Sequence, residues 1–291
     1  MIQERKKSMQ NMNEPLYTPL TQEQIDKYLA RLELERPEAL TKEYLDKLVL
    51  NHQTHVAFEN IDVCHYERPI SLNIADLFNK IVERNRGGYC FELNGLFVKL
   101  LQGLGYDAYS SPCRMGDPNI PGPVMHRGNV VNLNGKKYFC DVGFGGPMPP
   151  GAIEFVEGVR QVVDGETFWV EQVDDYWWQL KRMTKGTSET GGVGPYDPAT
   201  IDLIREVDVM RISTAEWYAP DFLAPNRSCG EGPNARFRGR VMVSLRTPTG
   251  SKGLSSDTFT VIENGVRTRT PVTPEEIPVI LKEHFNITPE Q

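Results

Sequence analysis

The chain has 291 residues, 39% of them apolar, and a formal net charge of −7. That content suffices for a sizeable core in two or three domains. The acidic balance leaves no basic excess to neutralise phosphates, so nucleic acid is not an expected partner. The five cysteines are odd in number and follow no framework spacing, which points to a reducing, cytoplasmic compartment. They form no C-x-x-C pair, and no metal site is predicted. No run approaches the length of a membrane span, so no membrane contact is expected. The charged start Met1–Lys7 has no apolar stretch behind it and is unlike a secretory signal. Roughly the first dozen residues read as a frayed tail.

Thr21-Gln22-Glu23-Gln24 is a capping-box pattern ahead of the helical stripe Ile25, Tyr28, Leu29 and Leu32. Thr41 opens a second helix with Leu45, Leu48 and Val49 on one side, and His52 and His55 near its end. Ser71 to Val82 predicts a third helix, through Ile74, Leu77, Phe78 and Ile81. His65 lies in a strand-like stretch beside Cys64. The fourth helix begins at Cys90, follows Leu93, Leu96, Phe97, Leu100, Leu101 and Leu104, and stops at Gly103 and Gly105. After Gly105 the apolar period becomes two, and strands are predicted over Tyr106–Arg114, Gly128–Leu133, Lys136–Asp141, Gln161–Val163, Thr167–Gln172 and Tyr176–Arg182. Gly191-Gly192-Val193-Gly194-Pro195 reads as a linker, and Ile201 to Val209 as a connecting helix. Pro225 to Asn234 reads as a long loop. Gly239–Thr247, Asp257–Glu263 and Val266–Thr270 follow as strands, and a last helix opens at Thr273 with Ile280, Leu281 and Phe285 as its stripe. Asn134-Gly135, Asp164-Gly165 and Asn264-Gly265 each predict a type I′ hairpin turn.

The most informative segment is Arg86-Gly87-Gly88-Tyr89-Cys90-Phe91-Glu92-Leu93-Asn94. It sets one thiol at a helix N-terminus, where unpaired N–H groups and the macrodipole favour an anion. A cysteine alone is most often inert packing. A cysteine in a Cys–His pair, by contrast, can have a pKa of roughly 3–4 against about 8.5 for a free thiol, which predicts an ionised nucleophile. Downstream, the Asn134-Gly135 turn sets Leu133 opposite Lys136 and, by counting, Gly128 opposite Asp141 and His126 opposite Gly143. His126 and Asp141 then share a face as diagonal neighbours at roughly 7–8 Å between backbones, within side-chain reach. A carboxylate on one imidazole nitrogen fixes the tautomer and leaves the other nitrogen for a nucleophile, the arrangement that acyl transfer needs. Arg86, Glu59, Glu92 and Asn94 read as supporting residues, with Arg86 and a buried Glu locking the nucleophile turn.

These segments resemble the arylamine N-acetyltransferases. The run Arg86–Asn94 is similar to that family's nucleophile motif, His55-Val56-Ala57-Phe58-Glu59-Asn60-Ile61-Asp62 to its upstream Phe-Glu-Asn segment, and Asp141-Val142-Gly143-Phe144-Gly145 to its Asp-Val-Gly-Phe-Gly motif. His126 stands where the family's histidine falls. The resemblance implies an α+β fold with a cysteine-protease-like Cys-His-Asp core: a helical domain over residues 1–105, a β-barrel domain over 106–210 and a C-terminal α/β lid over 211–291. It implies ping-pong transfer of an acetyl group from acetyl-CoA, as co-substrate, to an arylamine or arylhydrazine. Cys90 would be the nucleophile, His126 the base and Asp141 the orienter. Phe144 would line the acceptor pocket, and Gly143 and Gly145 would lie beside the pantetheine arm. Met125 takes the CoA-side position before the histidine, where the family usually carries a hydroxyl residue, and Phe237 is a candidate pocket residue. Arg236 and Arg238 could meet the CoA phosphates. Three other readings stay open at this point: an amide synthase acting on a larger acyl thioester, a transglutaminase-like or other cysteine hydrolase, and a non-catalytic binding module. The preferred amine and the oligomeric state are open as well.

Overall fold

A computed structural model describes residues 15–116, 119–120, 122–185, 204–232 and 235–288. The predicted frayed tail and the Gly191–Pro195 linker lie outside the described residues. Helix α1 (Gln22–Arg31) starts on the capping box foreseen at Thr21, whose hydroxyl accepts from the Gln24 N–H. Helix α2 (Lys42–His55) starts on Thr41, which accepts from the Tyr44 N–H. A two-residue strand β1 (Phe58–Glu59) and a short helix α3 (Ile61–Cys64) follow, with His65 as its C-cap, not in a strand. The third predicted helix is shorter than expected: α4 covers Ile74–Phe78 and passes into a π-helical turn over Asn79–Glu83. Ser71 lies ahead of it and donates to Asp76.

Helix α5 (Cys90–Leu104) ends on Gly105, whose φ of 104° only glycine adopts readily. It is apolar nearly all round, as a helix buried on every side must be. Leu93, Leu96, Phe97, Leu100 and Leu101 share one core with Ile25 and Leu29 of α1 and with Leu45, Leu48 and Val49 of α2. The same core takes in Val131 and Cys140, so α5 joins the helical layer to a sheet.

That sheet has eight strands, β2 (Asp107–Arg114), β3 (Val124–Leu133), β4 (Lys136–Cys140), β5 (Ile153–Glu154), β6 (Gln161–Val163), β7 (Glu166–Gln172), β8 (Trp177–Lys185) and β9 (Ile204–Ser213). Their order is β5-β4-β3-β2-β9-β8-β7-β6, with every pairing antiparallel. It curls until its two edges meet. There the Gln161 side chain accepts from the Glu154 N–H at 2.8 Å and donates to the Glu154 carbonyl at 2.9 Å, filling the place of a ladder bond. The expected connecting helix at Ile201 to Val209 is instead β9, apart from residues 201–203, which are not described. Glu206 and Asp208 alternate with buried Val207 and Val209, a period of two. A bulge opposite Leu180/Lys181 then brings Val209 and Met210 inward together.

After β9 comes a 3₁₀ turn (Ala219–Phe222) and helix α6 (Leu223–Gly230), where a loop was expected. Pro225 is accepted because it falls in the first turn, whose N–H groups need no helical partner. A five-stranded antiparallel sheet closes the chain, in the order β1-β10-β11-β12-β13, with β10 (Met242–Thr247), β11 (Gly250–Ser255), β12 (Thr258–Glu263) and β13 (Val266–Pro271). Helix α7 (Ile277–Phe285) covers it with buried Leu281 and Phe285. Strands β1, β5 and β11 carried too few alternating residues to be foreseen. The three Asx-Gly turns all show the two positive φ values of type I′, at Asn134-Gly135, Asp164-Gly165 and Asn264-Gly265.

Candidate active site

The β3–β4 hairpin has the register its turn dictates, from Leu133 opposite Lys136 to Asn129 opposite Cys140. Beyond that pair the strands part, and the chain bends through Asp141 and Val142. His126 and Asp141 nonetheless meet as the count required: His126 Nε2 lies 2.5 Å from Asp141 Oδ2. Cys90 is the first residue of α5, and its sulfur points to the Met125 carbonyl, the residue before His126, at 4.0 Å. All three side chains are withdrawn from solvent, with residue exposures of 2% for Cys90, 3% for His126 and 2% for Asp141.

Asn94, one turn along α5 from Cys90, holds the carboxylate in place. Its amide donates to Asp141 Oδ1 at 2.9 Å and to the Arg127 carbonyl at 2.6 Å, while its oxygen accepts from the Val142 N–H at 3.0 Å. The Gly143 N–H adds a second donor to Asp141 Oδ1 at 2.8 Å. A β-carbon on Gly143 would come within 2.9 Å of both Cys90 Cα and Asn94 Nδ2, so only glycine lets this loop close over the nucleophile turn.

Asn94 also leads outward. Asn129 donates to Asn94 Oδ1 at 3.2 Å, Ser110 donates to Asn129 Oδ1 at 3.2 Å, and the Arg127 guanidinium donates to Ser110 Oγ at 2.8 and 3.0 Å. Arg127 is buried, stacks on the Phe222 ring at 4.6 Å, and among the described residues pairs with no carboxylate. Burial lowers its pKa to about 9, which still leaves it charged at neutral pH. Sequence reasoning missed Ser110, Arg127 and Asn129. The available signal was buried polar residues within or beside two predicted strands.

Beneath the nucleophile turn lies an ionic cluster. Arg86 donates twice to Glu59 Oε1, at 2.8 and 3.0 Å, and once to Asp62 at 3.0 Å. Lys80, on the π-helical turn, lies 2.6 Å from Asp62 and 2.7 Å from Glu92. Glu92 Oε2 accepts from the N–H of Tyr89 at 3.0 Å, the residue before the nucleophile. The expected pairing of Arg86 with a buried glutamate is present, the glutamate is Glu59, and Lys80 joins the cluster.

The surroundings of the sulfur oppose the ionised thiol that a Cys–His pair at a helix N-terminus predicts. Burial pushes the Cys90 thiol well above its ordinary range, with Cys229 and Asp141 adding to the rise, while the N–H groups of Arg127 and Phe91 act the other way. An anion on this sulfur therefore needs a cation formed beside it.

The remaining predicted residues are placed as follows. Phe144 packs edge-to-face on the His126 ring at 5.6 Å. Phe237 is buried against Phe58 and Tyr89 in the apolar cluster that contains Cys90, and Met125 packs on that cluster. Gly145 has a φ of 73° and packs on the Phe58 ring. Arg238 pairs with Glu67 at 2.8 Å, and Arg236 is exposed.

A buried thiol at a helix tip and a histidine–carboxylate pair on the sheet packed against that helix are features that cysteine hydrolases and acyltransferases share. The profile of a family described as N-acetyltransferase matches residues 41–291. The chain is 29% identical to an arylamine N-acetyltransferase of Escherichia coli, over 83% of this chain and 80% of that one. It is 26% identical to the pineal gland isozyme NAT-3 of Gallus gallus, over 91% and 94% of the two chains. Its fold matches the arylamine N-acetyltransferase of Salmonella typhimurium with a TM-score of 0.79 at 24% identity, over 92% of each chain. The Mycobacterium marinum enzyme, whose structure holds CoA, matches with a TM-score of 0.78 at 24% identity, over 90% of this chain and 92% of that one. This chain belongs to the arylamine N-acetyltransferase family, and it is an acyltransferase.

Proposed function

We propose that the protein moves an acetyl group from acetyl-CoA to the nitrogen of an arylamine or arylhydrazine, through a thioester on Cys90, as a cytoplasmic enzyme. The observation that carries this reading is the short His126–Asp141 bond, held by Asn94 of the nucleophile helix, with the Cys90 sulfur facing the carbonyl of Met125, the residue before His126. With Nε2 committed to Asp141, Nδ1 is the nitrogen left to take the thiol proton. Proton transfer from Cys90 to His126 then creates both charges together, which answers the cost of an isolated anion in a buried site. The thiolate attacks the thioester carbonyl and CoA leaves as its thiol. The exchange of one thioester for another is nearly balanced in free energy.

The acceptor enters the same apolar site. An aromatic amine is uncharged at neutral pH, so it can approach between Phe144 and Phe237 without shedding a tight hydration shell. Its nitrogen attacks the acetyl carbon, the carbon–sulfur bond breaks to return Cys90 as thiolate, and His126 receives the amine proton as the amide forms. Asp141 stabilises the imidazolium whenever it is present. In this reading Gly143, Gly145 and Met125 border the path of the CoA arm. Initial rates with acetyl-CoA and a panel of aromatic amines and hydrazides test the proposal. Parallel double-reciprocal lines are expected, because each substrate meets a different form of the enzyme. Intersecting lines, or peptide or amide hydrolysis in place of transfer, would contradict it.

A further inference from the structure

The carbonyl oxygen of Met125 faces two thiols. Cys90 Sγ lies 4.0 Å from it and Cys229 Sγ lies 3.9 Å from it. The sulfurs come from different elements, the start of α5 and the end of α6, and both sit in one apolar cluster with Tyr89, Phe222 and Phe237. The backbones that carry them are tied together. The Tyr89 hydroxyl, adjoining Cys90, donates to the side-chain oxygen of Asn226, one turn before Cys229, and the Phe237 N–H donates to the Cys229 carbonyl at 3.2 Å. Two thiols that reach one acceptor atom from a fixed frame can meet by side-chain rotation.

No other cysteine shares an acceptor with the nucleophile. Cys113 points to the Ser111 carbonyl, Cys64 to the Asn60 side chain, and Cys140 is buried in the core under α5. The pair is also asymmetric. Burial raises both thiols, Cys229 to about 11 and Cys90 well above its ordinary range, but only Cys90 lies at a helix start against Gly143, which donates to the Asp141 carboxylate of the His126 pair, and in the proposed transfer it is Cys90 that gives its proton to His126. Oxidation would therefore begin at Cys90.

We propose that Cys229 is a resolving cysteine, which captures oxidised Cys90 as an intramolecular disulfide. The oxidant class is a hydroperoxide. The Cys90 thiolate attacks one peroxide oxygen, the O–O bond breaks, and the sulfur becomes a sulfenic acid as the other oxygen leaves as water or alcohol. The Cys229 sulfur then attacks the Cys90 sulfur, the S–O bond breaks, and the hydroxyl departs with the Cys229 proton as water. Two thiols lose two electrons and the peroxide gains them. The disulfide stops the ladder before irreversible sulfinic acid, and a dithiol restores both thiols. This rests on a reactive Cys90 and not on the identity of its acyl donor.

The test exposes the full chain to hydrogen peroxide, followed by intact mass and a non-reducing peptide map. Cys90 thiol recovery after dithiothreitol is then read by iodoacetamide labelling. The unaltered chain is expected to lose two hydrogens, to show the Cys90 peptide joined to the Cys229 peptide, and to recover most of its labelling. Cys229→Ser is expected to gain oxygen at Cys90 and to recover several-fold less, while Cys113→Ser behaves as the unaltered chain. The cross-link is read without any variant, so a misfolded Cys229→Ser leaves the test intact. Oxygen gain without hydrogen loss in the unaltered chain, a Cys90–Cys113 cross-link, or equal recovery in Cys229→Ser would overturn the proposal. If the cross-link forms in a chain that does not accept acetyl from acetyl-CoA, the redox role stands and the acyl-transfer reading falls.

Discussion

Arg127 is the residue whose chemistry is least visible in a motif and most exposed by geometry. Its guanidinium is buried, stacked on Phe222, and joined through Ser110, Asn129 and Asn94 to the carboxylate of Asp141. In the proposed transfer a thiolate, an imidazolium and a carboxylate would sum to one negative charge, and Arg127 is the buried positive charge that would balance it. Its attraction to an ionised Cys90 favours the guanidinium cation, and the same attraction favours the thiolate. Arg127→Met keeps the bulk and removes the charge. It is expected to move the acid limb of Cys90 alkylation by iodoacetamide to higher pH by about one unit, with Arg127→Lys recovering part of the shift. A profile that stays in place in a folded Arg127→Met variant would reduce the residue to packing.

At the scale of elements, α5 and the π-helical turn share the ionic cluster. Glu59 and Asp62 are matched by Lys80 and Arg86, so an ionised Glu92 would be a third carboxylate against two cations. Burial, with Glu59 adding and Lys80 opposing, pushes the Glu92 carboxyl from 4.5 up to about 7. The folded chain therefore keeps a proton that the unfolded chain has released. Stability from this proton is full below the ordinary carboxyl range and is lost as pH rises through about 7. Glu92→Gln keeps an acceptor for the Tyr89 N–H and removes the titration. The Tm of the unaltered chain is expected to fall between about pH 5 and about pH 8 more steeply than that of the variant, and equal slopes would show that Glu92 does not titrate there.

Much of this layout was legible before the fold was seen. The Asn134-Gly135 turn fixed the register of β3 and β4 as far as Asn129 opposite Cys140, near enough for His126 and Asp141 to meet beyond it, and the Arg86–Asn94 run placed the thiol at a helix tip. The misses have a common physical origin. Residues 204–213 follow the alternation of a strand, but the run is charged, and its period is broken by the bulge at Val209. Cys229 lies far from Cys90 in sequence on a helix that contains a proline, and only packing brings the two sulfurs to one carbonyl.

The whole molecule is held by contacts between distant segments. β1, from the helical part of the chain, pairs with β10 of the five-stranded sheet, Phe58 opposite Ser244 and Glu59 opposite Val243. The eight-stranded sheet closes on the Gln161 amide, which spans the two edges. Gln161→Ala removes both bonds from a half-buried seam and is expected to cost about 1–2 kcal/mol, a fall of several degrees in Tm by thermal denaturation. An unchanged Tm would show that the edges do not depend on this amide. Among the described residues no helix is long and apolar enough to cross a membrane.

The most direct measurement is intact mass of the protein after incubation with acetyl-CoA and no acceptor. One acetyl group on Cys90, removed when an aromatic amine is added, is the expected result. A folded chain that gains no acetyl group, or a Cys90→Ser variant that still acetylates aniline at the full rate, would contradict transfer through this sulfur.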